Sequence, residues 1–377
     1  MKFIICGGGT GGHVSPAIAI YDALKEQCPN AEFLFVGRDG GAENHAYRAT
    51  GERLVTLSIS GISRKSLKKA AKGVLSAVKS QKVAKSLIKT ENPDVIIGTG
   101  GYVCWPIISV GAKMGIPTII HESNALPGLT TRMLCHRVDL VLLNCAEAAE
   151  HLPSKNNIHV VGNPLRKEFQ KIDKRLARRR LGVRDNDIMI LSFGGSLGAQ
   201  KLNEVVINLM RYYSSRKSNV KHLHATGAEN YKEIAQQTLT ELSDKNGCKI
   251  VPYIEDMATA MSAADVVISR CGAMTLSEIC AVGVAAVLIP SPNVADNHQF
   301  KNAKHLERAG AAIIIDENSL SLQSLMNEVR DLVDSTERRI SLATEAANLG
   351  KNNALDLITK KVLSLTKQHS ATFFIGF

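Results

Sequence analysis

The chain has 377 residues, 45% of them hydrophobic, and its 46 lysines and arginines against 35 aspartates and glutamates give a formal net charge of +11. That length favours about two domains over a single α/β core, and the composition fits a globular chain able to bury substantial apolar area. No run approaches the roughly 18–20 uninterrupted apolar residues that span a bilayer, and the N-terminus enters a strand without the charged region or cleavage site of a signal peptide. The eight cysteines (6, 28, 104, 135, 145, 248, 271 and 280) form no C-x-x-C pair, which suits reduced thiols in the cytoplasm and offers no zinc pattern.

In chain order, the first half alternates strand and helix signals. Strands are expected at 2–6, 32–36, 54–57, 94–98, 117–120, 139–143 and 158–161, with helices at about 15–27, 42–50, 66–89, 103–114 and 127–134. Near 163–186 the pattern changes to Asn-Pro-Leu-Arg and a polar, basic run, a candidate interdomain passage. A second series follows, with strands near 188–193, 220–225, 248–252, 265–268, 285–289 and 312–315. Its helices are expected at 199–213, 229–242, 255–262, 274–282, 299–308 and 319–332. Apolar strands alternating with amphipathic helices predict doubly wound, mainly parallel sheets covered on both faces. The expected domains are 1–163 and 164–352. A last helix at about 353–367 is expected to pack back towards the first domain, and the tail, His369–Phe377, to be disordered.

Glycine loops follow the strands where such sheets bind ligands. Gly7-Gly8-Gly9-Thr10-Gly11-Gly12-His13 follows the first strand, and Gly194-Gly195-Ser196-Leu197-Gly198-Ala199 opens the second series. A strand that breaks into glycines and then a helix presents backbone N–H groups and a helix dipole to an anion, so the pair points to phosphates on two sides of a cleft. The first loop is no ordinary dehydrogenase fingerprint, because the second strand ends in Val36-Gly37-Arg38 without the acid that binds ribose. A third cluster, Gly98-Thr99-Gly100-Gly101-Tyr102, is expected beside the first loop. His13 either caps its turn or takes a proton from a hydroxyl nucleophile. His121 and Glu122 are either an acid/base pair or residues that orient loops. Ser196 can add a hydroxyl to the donors around a pyrophosphate. Glu278 either accepts from both ribose hydroxyls or complements a helix N-terminus. Asp296-Asn297-His298-Gln299 is placed to read sugar hydroxyls. No His, Asp and Glu spacing indicates a metal.

Between Glu52 and Glu91 there is no acidic residue, only Arg53, Arg64, Lys65, Lys68, Lys69, Lys72, Lys79, Lys82, Lys85 and Lys89. Lys65, Lys68, Lys69, Lys72 and Lys79 share one side of a helix, opposite Leu67, Val74, Leu75 and Val78. This is either a surface helix with its apolar face in the core or a basic face for an anionic lipid surface. Nucleic acid is not expected, since no aromatic residue is interleaved with the charges.

Seven motifs in this order carry a resemblance: Gly-Gly-Thr-Gly-Gly-His at 8–13, Gly-Thr-Gly-Gly-Tyr at 98–102, His-Glu-Ser-Asn at 121–124, Gly-Asn-Pro-Leu-Arg at 162–166, Gly-Gly-Ser-Leu-Gly-Ala at 194–199, Arg-Cys-Gly-Ala-Met-Thr-Leu-Ser-Glu at 270–278 and Asp-Asn-His-Gln at 296–299. Together they resemble the peptidoglycan glycosyltransferases of family 28, over the chain up to about residue 365. The resemblance implies a GT-B fold, two Rossmann-like doubly wound domains facing across a cleft. It also implies inverting transfer of N-acetylglucosamine (GlcNAc) from UDP-GlcNAc to the 4-hydroxyl of the N-acetylmuramoyl sugar of lipid I, giving lipid II and UDP for cell-wall synthesis.

Carried over by motif position, UDP-GlcNAc would meet Thr10, Gly11, Gly12, Asn124, Arg166, Ser196, Ile254, Ala273, Met274, Thr275, Leu276, Ser277, Glu278 and Gln299. Within that set Ser196 would take the pyrophosphate, Glu278 the ribose, the Ile254 backbone the uracil and Gln299 the GlcNAc hydroxyls. The acceptor would face His13, Gly100, Gly101 and Tyr102. His13 is the favoured base, with Glu122 the alternative. No cofactor is implied. The implied place is the cytoplasmic face of the cell membrane, held peripherally, with lipid I, anionic phospholipid and other cell-wall synthesis proteins as partners. The chain departs from the family pattern at Ser123, in the segment 42–51 and in its phenylalanine-bearing tail. Rival readings are another GT-B enzyme, such as a glycolipid glycosyltransferase or a UDP-sugar epimerase, and a non-catalytic nucleotide-sugar-binding subunit.

Overall fold

A computed structural model describes residues 1–41, 43–59, 67–153, 156–195, 198–216, 218–242 and 247–374. The chain divides into two compact units, Met1–Leu165 with the segment from Asn353 onward, and Arg166–Asn352.

Unit 1 holds seven parallel strands: β1 (Lys2–Cys6), β2 (Glu32–Arg38), β3 (Arg53–Leu57), β4 (Val95–Gly98), β5 (Thr118–Glu122), β6 (Leu140–Leu143) and β7 (Ile158–Val160), in the order β3-β2-β1-β4-β5-β6-β7. Unit 2 repeats the plan with β8 (Ile188–Phe193), β9 (Val220–Ala225), β10 (Cys248–Val251), β11 (Val266–Ser269), β12 (Ala285–Leu288) and β13 (Ile313–Ile314), ordered β10-β9-β8-β11-β12-β13. Both are the doubly wound order, with its switch point beside the first strand of each unit.

The strands are continuous apolar runs because both faces of each sheet are covered. In β1, Ile4 and Cys6 pack on one face with Leu34, Ile96, Ala84 and Ile88, whereas Phe3 and Ile5 pack on the other with Phe33, Phe35, Ala17 and Ile20. Unit 2 alternates in the same way, Leu191 and Val267 entering one core and Ile190, Val266 and Ile268 the other. Within each unit the strands are parallel, so their carboxyl ends, and the loops that follow them, lie along one edge of that unit's sheet.

The C-terminal helix, Ala354–Phe374, belongs to unit 1. Leu355, Ile358 and Val362 enter the core that holds Ala17, Ile20 and Leu24 of the helix Gly11–Gln27. Each such side chain contributes roughly 1.5–3 kcal/mol on burial. The helix runs further than expected, into the tail read as disordered. Residues 375–377 lie outside the described residues.

The polar run expected between the domains contains the boundary between the units, Leu165 to Arg166, and beyond it folds into the helices Glu168–Lys171 and Lys174–Arg180 of unit 2. Its buried Arg178 donates to Asp265 at 2.8 Å and to the carbonyls of Ala263, Arg184 and Asp187. That charge is paired and its donors are occupied, which is why so basic a stretch packs. The helix Thr336–Leu349 was not expected at all. A single residue, Ser335, separates it from the helix Leu322–Asp334, and Ser335 caps it by accepting from Arg338 N at 3.1 Å. No glycine or proline marks that junction.

Candidate active site

In unit 1 the loops after β1 and β4 meet. Gly8 N donates to Gly100 O at 3.2 Å, and Thr99 Oγ1 donates to the carbonyl of His13 at 2.7 Å. Gly100 and Gly101 have φ of +112° and +86°, a region that excludes most side chains. A β-carbon on Gly100 would stand 2.5 Å from the His13 ring, and one on Gly101 would collide with the Gly8 carbonyl. Glycine is required here so that two loops and an imidazole can share the space.

His13 sits in the first turn of the helix Gly11–Gln27 and is half-buried. Its Nδ1 lies 2.9 Å from Gly8 O and 3.3 Å from Thr10 Oγ1. A carbonyl oxygen only accepts, so the contact assigns the proton to Nδ1 and leaves a lone pair on Nε2. Thr10 and Gly11 are exposed beside it, Gly12 is half-buried, and Tyr102 is 49% exposed.

The loop has a support that sequence reasoning missed. Buried Glu43 accepts from Gly9 N at 3.3 Å and from Arg38 N at 3.0 Å, and Tyr47 OH donates to Gly7 O at 2.8 Å. Burial pushes the Tyr47 phenol well above its ordinary value, so it remains a donor. Both residues lie in the helix Glu43–Ala49. The only signal was an acid and an aromatic in an otherwise unassigned helix.

The β5 end carries His121, Glu122 and Asn124. Glu122 is buried, and both carboxylate oxygens are occupied. Oε1 accepts from Asn124 N at 3.0 Å and Asn124 Nδ2 at 3.1 Å, while Oε2 accepts from Gly128 N at 2.9 Å and Thr131 Oγ1 at 2.7 Å. His121 is fully buried and its Nε2 bonds Gly162 O at 3.0 Å. Burial, the largest influence on it, pulls its pKa down and keeps the ring neutral. The structure therefore does not join His121 and Glu122 as an acid/base pair. Each holds backbone, His121 at the β7 exit and Glu122 through residues 124–131.

In unit 2, Gly194 and Gly195 leave β8, and the helix Gln200–Ser214 begins with no side-chain cap on its amides. Ser196 and Leu197 lie outside the described residues. Beneath the loop, buried Ser192 Oγ lies 2.8 Å from both His222 Nε2 and His224 Nδ1. Burial pulls His224 down to about 4, and burial with the neighbouring His224 holds His222 well below its ordinary value, so both rings are neutral.

The helix Ala273–Val282 also begins without a side-chain cap. Ala273, Met274 and Leu276 are buried, so what they can offer a ligand is main chain, whereas Thr275, Ser277 and Glu278 are partly open. Protein nonetheless surrounds the Glu278 carboxyl. Desolvation raises it to about 7, opposed by the nearby Arg166 guanidinium. Gln299 Oε1 accepts from Cys271 N at 3.2 Å and Ser291 N at 2.9 Å, which leaves its amide nitrogen available for a ligand. Ile254 is buried. Its neighbour Tyr253, which the motif reading passed over, is 62% exposed.

Two Rossmann-like doubly wound units, each with a glycine loop at the carboxyl end of its first strand, make the GT-B architecture. The N-terminal domain model of glycosyltransferase family 28 matches residues 3–143, and the family's C-terminal domain model matches residues 189–360. The chain belongs to glycosyltransferase family 28. It is 39% identical, over 97% of its length and all of the relative's, to the UDP-N-acetylglucosamine–N-acetylmuramyl-(pentapeptide) pyrophosphoryl-undecaprenol N-acetylglucosamine transferase of Thermoanaerobacter sp. strain X514. The crystal structure of Acinetobacter baumannii MurG superposes with a TM-score of 0.75 at 26% identity, covering 96% of this chain and 99% of that one. A UDP-GlcNAc 2-epimerase from Neisseria meningitidis, solved with UDP-GlcNAc bound, shares the fold at a TM-score of 0.67 and 12% identity, over 97% of this chain and the whole of that one.

Proposed function

We propose that this chain transfers GlcNAc from UDP-GlcNAc to the 4-hydroxyl of the N-acetylmuramoyl sugar of undecaprenyl-pyrophosphoryl-N-acetylmuramoyl-pentapeptide, with inversion, giving lipid II and UDP. The observation that carries the chemistry is the 2.9 Å contact between His13 Nδ1 and the Gly8 carbonyl. With Nδ1 committed there, Nε2 is left as the base in a loop open to solvent. The acceptor oxygen attacks the anomeric carbon from the face opposite the nucleotide and gives its proton to Nε2. The bond to the β-phosphate oxygen breaks and its electron pair leaves with UDP.

Unit 2 supplies the donor grip. Amides of the Gly194–Gly195 loop and of the uncapped helix Gln200–Ser214 favour the diphosphate, whose negative charge grows as the bond breaks. Glu278 accepts from the ribose hydroxyls, Gln299 donates to the GlcNAc hydroxyls, and Tyr253 stacks on the uracil beside the Ile254 main chain. Arg166 stands near the nucleotide. Gly100, Gly101 and Tyr102 face the acceptor sugar, Asn124 meets the transferred GlcNAc, and Glu122 is a positioning residue.

A lipid-borne acceptor places the chain peripherally at the cytoplasmic face of the cell membrane. No described helix is long and apolar enough to cross a membrane. In the helix Leu67–Glu91, Lys79, Lys82, Lys85 and Lys89 are exposed together with Val83, whereas Ala84 and Ile88 are buried. Lys65 lies outside the described residues, and the sequence reading of the Lys68, Lys69, Lys72, Leu67, Val74, Leu75 and Val78 faces concerns side chains the structure does not describe. Each lysine near an anionic surface contributes about 1 kcal/mol. The experiment that tests the function is mass spectrometry together with proton NMR of the products formed from a lipid I analogue and UDP-GlcNAc. The expected product gains one N-acetylhexosamine in the β configuration. An unmodified acceptor, or free 2-epimerised sugar nucleotide, would overturn the reading.

A further inference from the structure

In unit 2 three segments converge on Glu317, a residue outside every motif the sequence reading used. It follows β13 and precedes the helix Leu322–Asp334. Its carboxylate accepts both fork nitrogens of Arg270, Nη2 at 2.8 Å and Nη1 at 3.0 Å, with both side chains largely buried. Arg270 Nη1 also donates to Ile289 O at 3.2 Å and Pro290 O at 3.4 Å. The main-chain carbonyl of Glu317 accepts from Lys201 Nζ, in the first turn of the helix that follows the Gly194 loop.

One residue thus ties the exit of β11, where Arg270 leads into the helix of Glu278, to the exit of β12, which Gln299 also holds, and to the start of the helix Gln200–Ser214. A bidentate arginine–carboxylate pair fixes orientation as well as distance, so the three segments share one geometry. We propose that Glu317 is a positioning residue for nucleotide-sugar binding, acting through Arg270 on the ribose and GlcNAc segments and through Lys201 on the diphosphate loop. It touches no reacting atom. The inference rests on the donor reading of unit 2 given above.

The test uses the full chain carrying Lys201→Met, which leaves the buried pair intact, or Glu317→Gln, which keeps the shape but weakens the fork. The dissociation constant for UDP and the KM for UDP-GlcNAc should each rise about tenfold, with kcat at saturation and the acceptor KM within about threefold of wild type. Lys201→Arg should restore most of the affinity, and the double variant should be little worse than either single one. Without any ligand, amide hydrogen exchange should quicken in both variants at 199–202 and 289–291. A folded Lys201→Met protein with wild-type UDP affinity and wild-type exchange would overturn the proposal. A wild-type protein that binds UDP yet transfers no sugar would overturn the functional reading instead, and leave the affinity and exchange measurements to decide the role of Glu317.

Discussion

The two units share a strand order and a glycine loop after the first strand, and they differ in what surrounds that loop. In unit 1 the loop is pinned by Glu43, Tyr47 and Thr99 and carries a half-buried imidazole whose Nδ1 is committed to the Gly8 carbonyl. In unit 2 the strand that leads into the loop carries Ser192 bonded to two buried, neutral histidines, and the helix Ala273–Val282 carries the desolvated carboxyl of Glu278. Under the proposed function, one scaffold would carry a proton acceptor in one copy and a nucleotide grip in the other. The topology fixes where ligands bind, and the side chains around the loop decide what happens there.

Mutations should separate the two roles. His13→Ala should lower kcat by about 10²–10⁴-fold, the usual contribution of a general base. UDP affinity, measured by calorimetry, should stay within about twofold, since a tenfold change would signal some 1.4 kcal/mol of direct contact. Glu278→Gln inverts the pattern. UDP affinity should fall about 10–100-fold, a loss of one charge-assisted site of roughly 1.5–3 kcal/mol, with a smaller change in kcat.

The Glu278 carboxyl also makes a pH prediction. Its pKa of about 7 in the folded, unliganded protein lies above the ordinary 4.5, so the neutral form is favoured by folding. That stabilisation is complete below the unfolded value and is lost as pH rises through about 7. Unliganded Glu278→Gln should therefore melt at a higher temperature than wild type at pH 8. UDP binding to wild type should weaken as pH falls from 8 to 6, because the ribose hydroxyls need the carboxylate. A melting temperature equal to that of wild type at pH 8, together with flat affinity over that range, would remove Glu278 from the ribose.

Glu122→Gln sharpens the contrast within unit 1. It places an amide NH₂ against existing donors, so thermal unfolding should fall by several degrees, consistent with a loss of about 2–3 kcal/mol, and activity should fall with it. Lost turnover at unchanged stability would instead make Glu122 the base. Tyr253→Ala has the smallest expected effect. Stacking on one base contributes about 1–3 kcal/mol, so the KM for UDP-GlcNAc should rise roughly tenfold while the acceptor KM holds.

Much of this plan was legible in the sequence. Buried parallel strands read as apolar runs such as Ile188–Phe193, and glycine loops mark the strand ends because backbone must approach closely there. The motif reading brought Gly8 and Gly100 together correctly, and their amide and carbonyl do bond. The supporting residues were not legible. Glu43 reaches Gly9 across 34 positions and Lys201 reaches Glu317 across 116, and no local pattern encodes such pairings. Glu122 stood as the alternative base because an acid at a strand end is ambiguous until its hydrogen-bond partners are placed. The helix Thr336–Leu349 was missed because a one-residue junction carries no turn chemistry, and the tail because helix Ala354–Phe374 continues where composition alone suggested an end.

The central claim, that a donor-gripping unit and a base-bearing unit together transfer sugar to a lipid acceptor, is tested most directly by UDP release from UDP-GlcNAc with and without a lipid I analogue. The account predicts release that depends on the acceptor and matches the glycosylated product mole for mole. UDP release at the same rate without acceptor, or none with it, would contradict it.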